Sequence, residues 1–287
     1  MQKPKGIILK WNGKAGFGKD ELSLVAVSLI SGLFAWYLER FLSGMTTLYF
    51  SYDLNIKAVF NLNGIRFLTP AVSGAWTRDA LVTLNLAAPI MNLFLGLTTL
   101  VVYVFIRHKS RSMAFFMIWL MVFSFTGIFG SYLENNVART GMYALSKIMD
   151  IGVVFQIIFV VLALYFLYIM GVAIGKLTAL TLPYKFFSED KIRLSAFLLI
   201  FIFPWLVILL LSFKGLSSSM LFTYITGIVI LLPFNWMQGP EKKGVHLRRM
   251  PRHLPVDTFA LVVYLLGVLL IRQMMASGIS LSPGFHG

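Results

Sequence analysis

Few side chains in this sequence could do chemistry, and their types exclude most catalytic centres. The four histidines are His108, His246, His253 and His286. There is no cysteine, so the chain has no disulfide framework, thiolate nucleophile or cysteine-ligated metal. His246 and His253 share a basic segment with only Glu241 and Asp257 nearby, and we interpret them as titratable surface groups rather than zinc ligands. No histidine lies in a long apolar run, which excludes a haem held by two membrane-spanning histidines.

Ionisable and amide side chains near apolar runs are the next candidates, because a bilayer makes them costly to bury. Glu39 and Arg40 end the first run, and we expect an interfacial pair there. Glu134 and Asp150 bracket a short outer loop and are expected to be its solvated ends. Gln156 is expected to hydrogen-bond to a neighbouring helix. No buried carboxylate pair is predicted, which argues against a proton pump.

The composition identifies the class of protein that must position these groups. Of 287 residues, 58% are apolar and only 13% are charged, and the mean hydropathy is +0.82. A soluble domain of this size could not cover so much hydrocarbon, which excludes soluble enzymes, disordered tails and fibrous repeats. The net charge of +14 indicates positive-inside topology and contact with anionic lipid headgroups rather than with nucleic acid.

The apolar runs predict an all-α polytopic membrane protein with about seven transmembrane helices. The predicted spans are Leu22–Phe41, Ala80–Ile106, Met113–Leu133, Ile151–Gly175, Leu194–Phe213, Met220–Met237 and Val256–Met275. Loops rich in Lys and Arg then alternate with poorer ones, which predicts a cytoplasmic N-terminus. The simplest location for such a chain is a prokaryotic plasma membrane. Pro89, between Asn85 and Asn92, frees a backbone carbonyl in the second span, and Pro204 is predicted to kink the fifth helix.

The segment Leu42–Asp79 is too polar for a span. Alternation over Ala58–Phe67 predicts a short re-entrant or hairpin element after the first helix. The domain boundaries that follow are a basic N-terminal segment at 1–21, a transmembrane domain at 22–275 and a C-terminal tail at 276–287.

Four segments, in order, resemble motifs of one family. Leu84–Gly96, LNLAAPIMNLFLG, is similar to an Ala-Gly-Pro-x-x-Asn segment. Before it, Arg66–Gly74 resembles Phe-x-x-Pro-Gly-Ala-Val, and Phe17–Leu22 resembles Phe-Ser-x-x-Glu-Leu. After it, Leu231–Gly244 resembles Asn-Leu-Leu-Pro-x-x-Pro-Leu-Asp-Gly-x-Lys. The family is that of the site-2 proteases, which are intramembrane zinc metalloproteases.

The resemblance implies an intramembrane site at Pro89, Asn92, Gln238 and Gly239 whose metal ligands are missing. In the family pattern the proline breaks a helix start and the asparagine faces the site. Zinc proteases use His-Glu-x-x-His on a helix, so that two imidazoles hold the metal and the glutamate activates water. This chain has no such motif and no histidine at 34–63, and Gln238 stands where the family has a ligand aspartate.

Tyr37, Leu38 and Gln238 cannot replace two imidazoles and a carboxylate, so the resemblance implies a non-catalytic member without metal or cofactor. Such a protein would bind or scaffold other membrane segments. Two alternatives stay open. Seven spans interrupted by prolines also suit a small transporter or permease subunit. Basic loop residues also suit a lipid-binding or lipid-modifying protein. The headgroup candidates are Lys242, Lys243, Arg248, Arg249 and Arg252.

Overall fold

Long apolar helices dominate the part of the chain that the computed structural model describes, which is residues 19–70, 72–107, 109–139, 141–182, 190–212, 218–236 and 256–281. The helices are α1 (Lys19–Asp53), α2 (Arg78–Ile106), α3 (Arg111–Phe125), α4 (Ser131–Ala138), α5 (Gly141–Ile148), α6 (Val153–Thr181), α7 (Asp190–Phe197), α8 (Phe203–Ser212), α9 (Ser218–Leu231) and α10 (Thr258–Ser277). The strands are β1 (Ala58–Asn61) and β2 (Gly64–Phe67). Two π-helical turns join helices end to end, at Thr126–Gly130 and at Leu198–Ile202, and a 3-10 turn at Leu232–Trp236 follows α9.

Six segments of the described residues are long and apolar enough to cross a bilayer, which confirms an all-α polytopic membrane protein. They are Leu22–Asp53, Arg78–Ile106, Arg111–Val137, Val153–Thr181, Ile192–Leu211 and Thr258–Ser277. The sixth predicted span corresponds to a shorter apolar helix, Ile225–Phe234. The predicted domain boundaries at 21 and 275 stay predictions.

The first helix is longer than its sequence predicts. We placed its end at Phe41, but α1 continues through Leu42 to Asp53 before the chain leaves the helix. Polar residues in this last part have hydrogen-bond partners within the helix, since the hydroxyls of Thr46 and Thr47 donate to carbonyls four residues earlier. Only the remainder of the 42–79 segment is therefore irregular or strand-like.

A hairpin follows α1, which confirms the strand prediction. β1 and β2 pair antiparallel, from Ala58 opposite Phe67 to Asn61 opposite Gly64. Phe60 of β1 also exchanges two backbone hydrogen bonds of 2.8 Å with Ile279, beyond the end of α10. The ring of Phe60 packs on α1 at Gly44, where a larger residue would overlap it. The hairpin is thus fixed between the first and last described helices.

The third span is the centre of the bundle. Nearly every residue of α3 is buried, and Trp119, Phe115 and Met121 have no exposed surface. By contrast α2, α6 and α10 each bury about one face and leave the other apolar and exposed. Because a helix in lipid needs no polar face, the exposed faces are as apolar as the buried ones.

Ser28 connects three helical segments at this centre. Its hydroxyl accepts a hydrogen bond of 2.9 Å from the Trp119 indole N–H and donates one of 2.5 Å to the Ile200 carbonyl. That carbonyl belongs to the residue four positions before Pro204, which has no N–H to offer it. A π-helical turn thus ends just before Pro204, where we predicted a kink, and a serine from α1 satisfies the freed carbonyl.

We predict that Ser28→Ala lowers the free energy of unfolding by about 1–3 kcal/mol, because it leaves a buried N–H and a buried carbonyl without partners. The thermal unfolding midpoint of the purified protein in detergent measures the change. Ser277→Ala is the matched control, since that hydroxyl donates to Met274 of its own helix at an exposed position. Equal midpoints for the two variants would contradict the prediction.

Candidate functional site

Glu39 and Asn92 meet at the centre of the bundle, near the middle of the first and second spans. Both are buried, with exposed fractions of 4% and 3%, and their side chains are hydrogen-bonded to each other. The interfacial position that we expected for Glu39 and Arg40 is therefore wrong. Because α1 continues to Asp53, these residues lie within the helix rather than at its end.

The third span approaches this pair through a glycine. Gly127 lies in the π-helical turn Thr126–Gly130, and a Cβ there would overlap the Asn92 Nδ2 atom and come within 2.8 Å of Glu39 Oε1. The Gly127 carbonyl accepts a hydrogen bond of 2.5 Å from the Ser131 hydroxyl. A turn with altered hydrogen bonding thus lies directly beside the buried pair, and such turns are frequent at functional sites.

Arg40 points from the same helix toward the hairpin. Its guanidinium donates to the Leu62 carbonyl in the hairpin turn. It also lies over the ring of Trp36 at 5.3 Å, where the aromatic face attracts a cation. One residue of α1 therefore contacts α2 and the next contacts the hairpin, so the two elements that follow α1 are both held against it.

Pro89 does not begin a helix here. The family pattern that we matched has a proline at a helix start, whereas α2 begins at Arg78 behind an N-cap from Thr77 and continues past Pro89 to Ile106. Gln238 and Gly239 lie outside the described residues. So do the headgroup candidates Lys242, Lys243, Arg248, Arg249 and Arg252, and all four histidines. Of the two predicted site residues that the structure describes, Pro89 and Asn92, it is Asn92 that is placed beside an ionisable side chain.

Sequence analysis missed Glu39 as a site residue. The pentapeptide Leu38–Leu42, LERFL, has glutamate at its second position and leucine at both ends. A zinc motif of the His-Glu-x-x-His type would have histidines at those ends. The available signal was a carboxylate inside a long apolar run. Because Arg40 is adjacent, we interpreted the two residues as an ion pair at the membrane surface.

The groups around Glu39 do not fit a zinc ion. Zinc takes four nitrogen, sulfur or oxygen ligands, whereas the described residues place one carboxylate and one amide together here. Nowhere among the residues that the structure describes do three His, Asp or Glu side chains gather closely enough to hold a metal.

A second polar group lies farther along the third span. Glu134 accepts a hydrogen bond from the Thr223 hydroxyl of α9, so it is not the simple solvated end that we expected. Thr226 donates to the Thr223 carbonyl at 2.6 Å, and its hydroxyl lies against Gly130 so closely that a Cβ there would overlap it. Asp150, in contrast, is exposed as predicted.

Gln156 makes a local contact rather than one between helices. Its amide donates to the Ile151 carbonyl at 2.9 Å, just before α6 begins. It therefore helps to start α6, and our expectation of a bond to a neighbouring helix was wrong.

Comparison of the chain with protein-family models, with curated proteins and with solved structures finds no match.

We predict that Asn92→Leu destabilises the protein by about 1–3 kcal/mol, because it removes the donor to a buried carboxyl group. Asn136→Leu is the control, since that amide donates to the Tyr132 carbonyl of its own helix at 2.8 Å. Thermal unfolding in detergent compares the two. A loss at Asn136 as large as that at Asn92 would show that the Glu39 contact contributes nothing.

Proposed function

We propose that this chain is a non-catalytic integral membrane protein, similar in plan to site-2 proteases, that binds another membrane segment. The contact between Glu39 and Asn92 is the observation that supports this most. It joins the helix before the hairpin to the Ala-Ala-Pro-x-x-Asn segment, which are the two parts that a site of this kind needs. Leu38 and Leu42 occupy the positions where the zinc motif has its imidazoles.

The open edge of the hairpin supports a binding role. β1 is covered on its outer side, since Phe60 pairs with Ile279, while β2 has no further strand beside it among the described residues. The register directs the backbone groups of Ile65 and Phe67 away from β1. A free edge of this kind accepts an extended segment through main-chain hydrogen bonds.

The side chains around this edge suit a partner at the membrane surface. Phe67 and Leu68 are exposed, and Arg66 between Ile65 and Phe67 is exposed as well. The Phe67 ring also packs edge-on against Trp76, at 5.3 Å between ring centres. We infer that the partner is an unwound, extended end of a transmembrane segment, which would add to β2 as a third strand.

The same proposal includes the cellular setting. The chain is a multi-pass membrane protein. The distribution of Lys and Arg in the sequence favours a cytoplasmic N-terminus, and the membrane that we propose is the plasma membrane.

Restoring the two imidazoles tests the relation to a zinc site. We predict that Leu38→His combined with Leu42→His raises zinc affinity by about tenfold or more, which is ~1.4 kcal/mol, because both new ligands flank Glu39. Isothermal titration of the purified protein measures it. Tyr37→His combined with Phe41→His has the same spacing on a neighbouring face of α1 and should gain less.

The unmodified protein should contain no stoichiometric zinc and should leave a model transmembrane substrate uncut. Metal analysis and gel electrophoresis of the reconstituted protein measure these two properties. Stoichiometric zinc together with cleavage would overturn the proposal of a non-catalytic protein.

A photo-crosslinking residue at Arg66 tests the binding edge. We predict adducts with an extended end of a membrane-spanning protein, identified by mass spectrometry, and far fewer adducts from Asn63 in the hairpin turn. Phe67→Pro should abolish them, because proline removes an outward N–H while the hydrogen-bonded pairs of β2 with Val59 and Asn61 remain. Adducts with lipid alone, or adducts that survive Phe67→Pro at an unchanged unfolding midpoint, would refute binding at this edge.

A further inference from the structure

One polar atom beside Glu39 has no hydrogen-bond partner within the described part of the chain. The Asn92 side-chain oxygen, Oδ1, is buried and accepts no hydrogen bond from any described residue, although the amide nitrogen of the same group is bonded to Glu39. Buried polar atoms nearly always have a partner, so an orphaned amide oxygen requires an explanation. Its position on the amide that faces Glu39 indicates that the missing donor is on, or near, that carboxyl group.

A protonated carboxyl group supplies this donor. An ionised carboxylate only accepts hydrogen bonds, whereas a carboxylic acid has one O–H donor and one carbonyl acceptor. A primary amide has the complementary pair, an N–H donor and an oxygen acceptor. With a proton on Glu39, the two groups satisfy each other in both directions, and Asn92 Oδ1 is no longer orphaned.

We propose that Glu39 and Asn92 form a proton-binding site at the centre of the bundle. A hydronium ion at the water-facing side gives up the proton, so that one of its O–H bonds breaks and water is left, and one O–H bond forms at the Glu39 carboxylate, which loses its negative charge. A metal ion suits these two side chains less well, since hard cations take six or more oxygen ligands, and no cluster of metal-binding side chains is found in the described ranges.

Polar groups along the third span form the path by which a proton reaches Glu39. Glu134 is partly exposed near the end of that span, and Gly127 beside Glu39 is about 10 Å away along the helix axis at 1.5 Å per residue. The Thr223 hydroxyl donates to Glu134, and the Thr226 hydroxyl lies against Gly130, between Glu134 and Gly127. The Thr126 hydroxyl, also buried and without a partner in the described residues, lies near Gly227. Hydroxyl groups both donate and accept, as a proton path requires.

Few charged or titratable groups surround Glu39. Arg40 is next to it on α1 and contacts the hairpin turn and Trp36. Among the helices packed against α1, α2 has its charges at Arg78 and Asp79 in the first turn. The third span has Arg111 at its start and Glu134 near its end, α10 has Tyr264 and an exposed Arg272, and α8 has none. β2 adds an exposed Arg66. Arg40 is therefore the nearest fixed charge.

Infrared difference spectroscopy of the full chain in lipid vesicles tests the site directly. We expect a carbonyl stretch of a protonated carboxylic acid that disappears in Glu39→Gln and persists in Asp53→Asn, an exposed control at the end of α1. Asn92→Leu should move the band to higher frequency, because the carboxyl group loses its amide partner. Glu134→Gln should slow the exchange of this proton in heavy water.

The spectra of the Glu39 variants distinguish a proton site from its absence. If Glu39→Gln does not fold, the spectrum of Glu39→Asp tests the proposal instead. This variant keeps a carboxyl group and should therefore show the acid band at a shifted frequency. A wild-type spectrum without an acid band, or with one that Glu39→Gln or Glu39→Asp leaves unchanged at every pH, overturns the proton site. This readout involves no binding partner, so the inference stands or falls separately from the proposed binding function.

Discussion

The structure depends on one constraint, which is that every polar group within the apolar bundle needs a partner there, since neither lipid nor a dry core supplies one. The third span, buried on all sides, is where this constraint is strongest. Ser28 satisfies both the Trp119 indole and the carbonyl that Pro204 leaves free. Arg40 satisfies a carbonyl of the hairpin turn. These two polar side chains are thus attachments between segments, and they fix which parts of the chain touch α1.

Much of the fold follows from sequence, and the missed parts have physical causes. Long apolar runs locate membrane helices because a bilayer requires them, and alternation over Ala58–Phe67 located the hairpin. The end of α1 was misplaced because threonine and serine residues after Phe41 reduce hydropathy while bonding within the helix. Nor does hydropathy distinguish the buried third span from the largely exposed α2, whose mean hydropathy is the same, because lipid and protein interior are equally apolar solvents.

The sequence predicted one of the two residues of the candidate site. A motif located Asn92, but its partner Glu39 was assigned to the membrane surface, since a neighbouring Arg40 offers the simpler explanation of an ion pair. Only the tertiary structure places the two residues of that pair in different surroundings, one against α2 and the other against the hairpin. The contact of Thr223 with Glu134 was equally hidden, because it joins distant parts of the chain.

The π-helical turn beside Gly127 also bears on how this chain tolerates length changes. A turn of this kind contains one residue more than a regular helix would, and each residue rotates a helix by about 100°. Deleting a single residue from Thr126–Gly130 would restore a continuous helix that keeps Glu134 facing Thr223, and it would remove the widened turn that brings Gly127 against Glu39 and Asn92. A one-residue deletion here should therefore leave the third span in register with α9 and change only the surroundings of the buried pair.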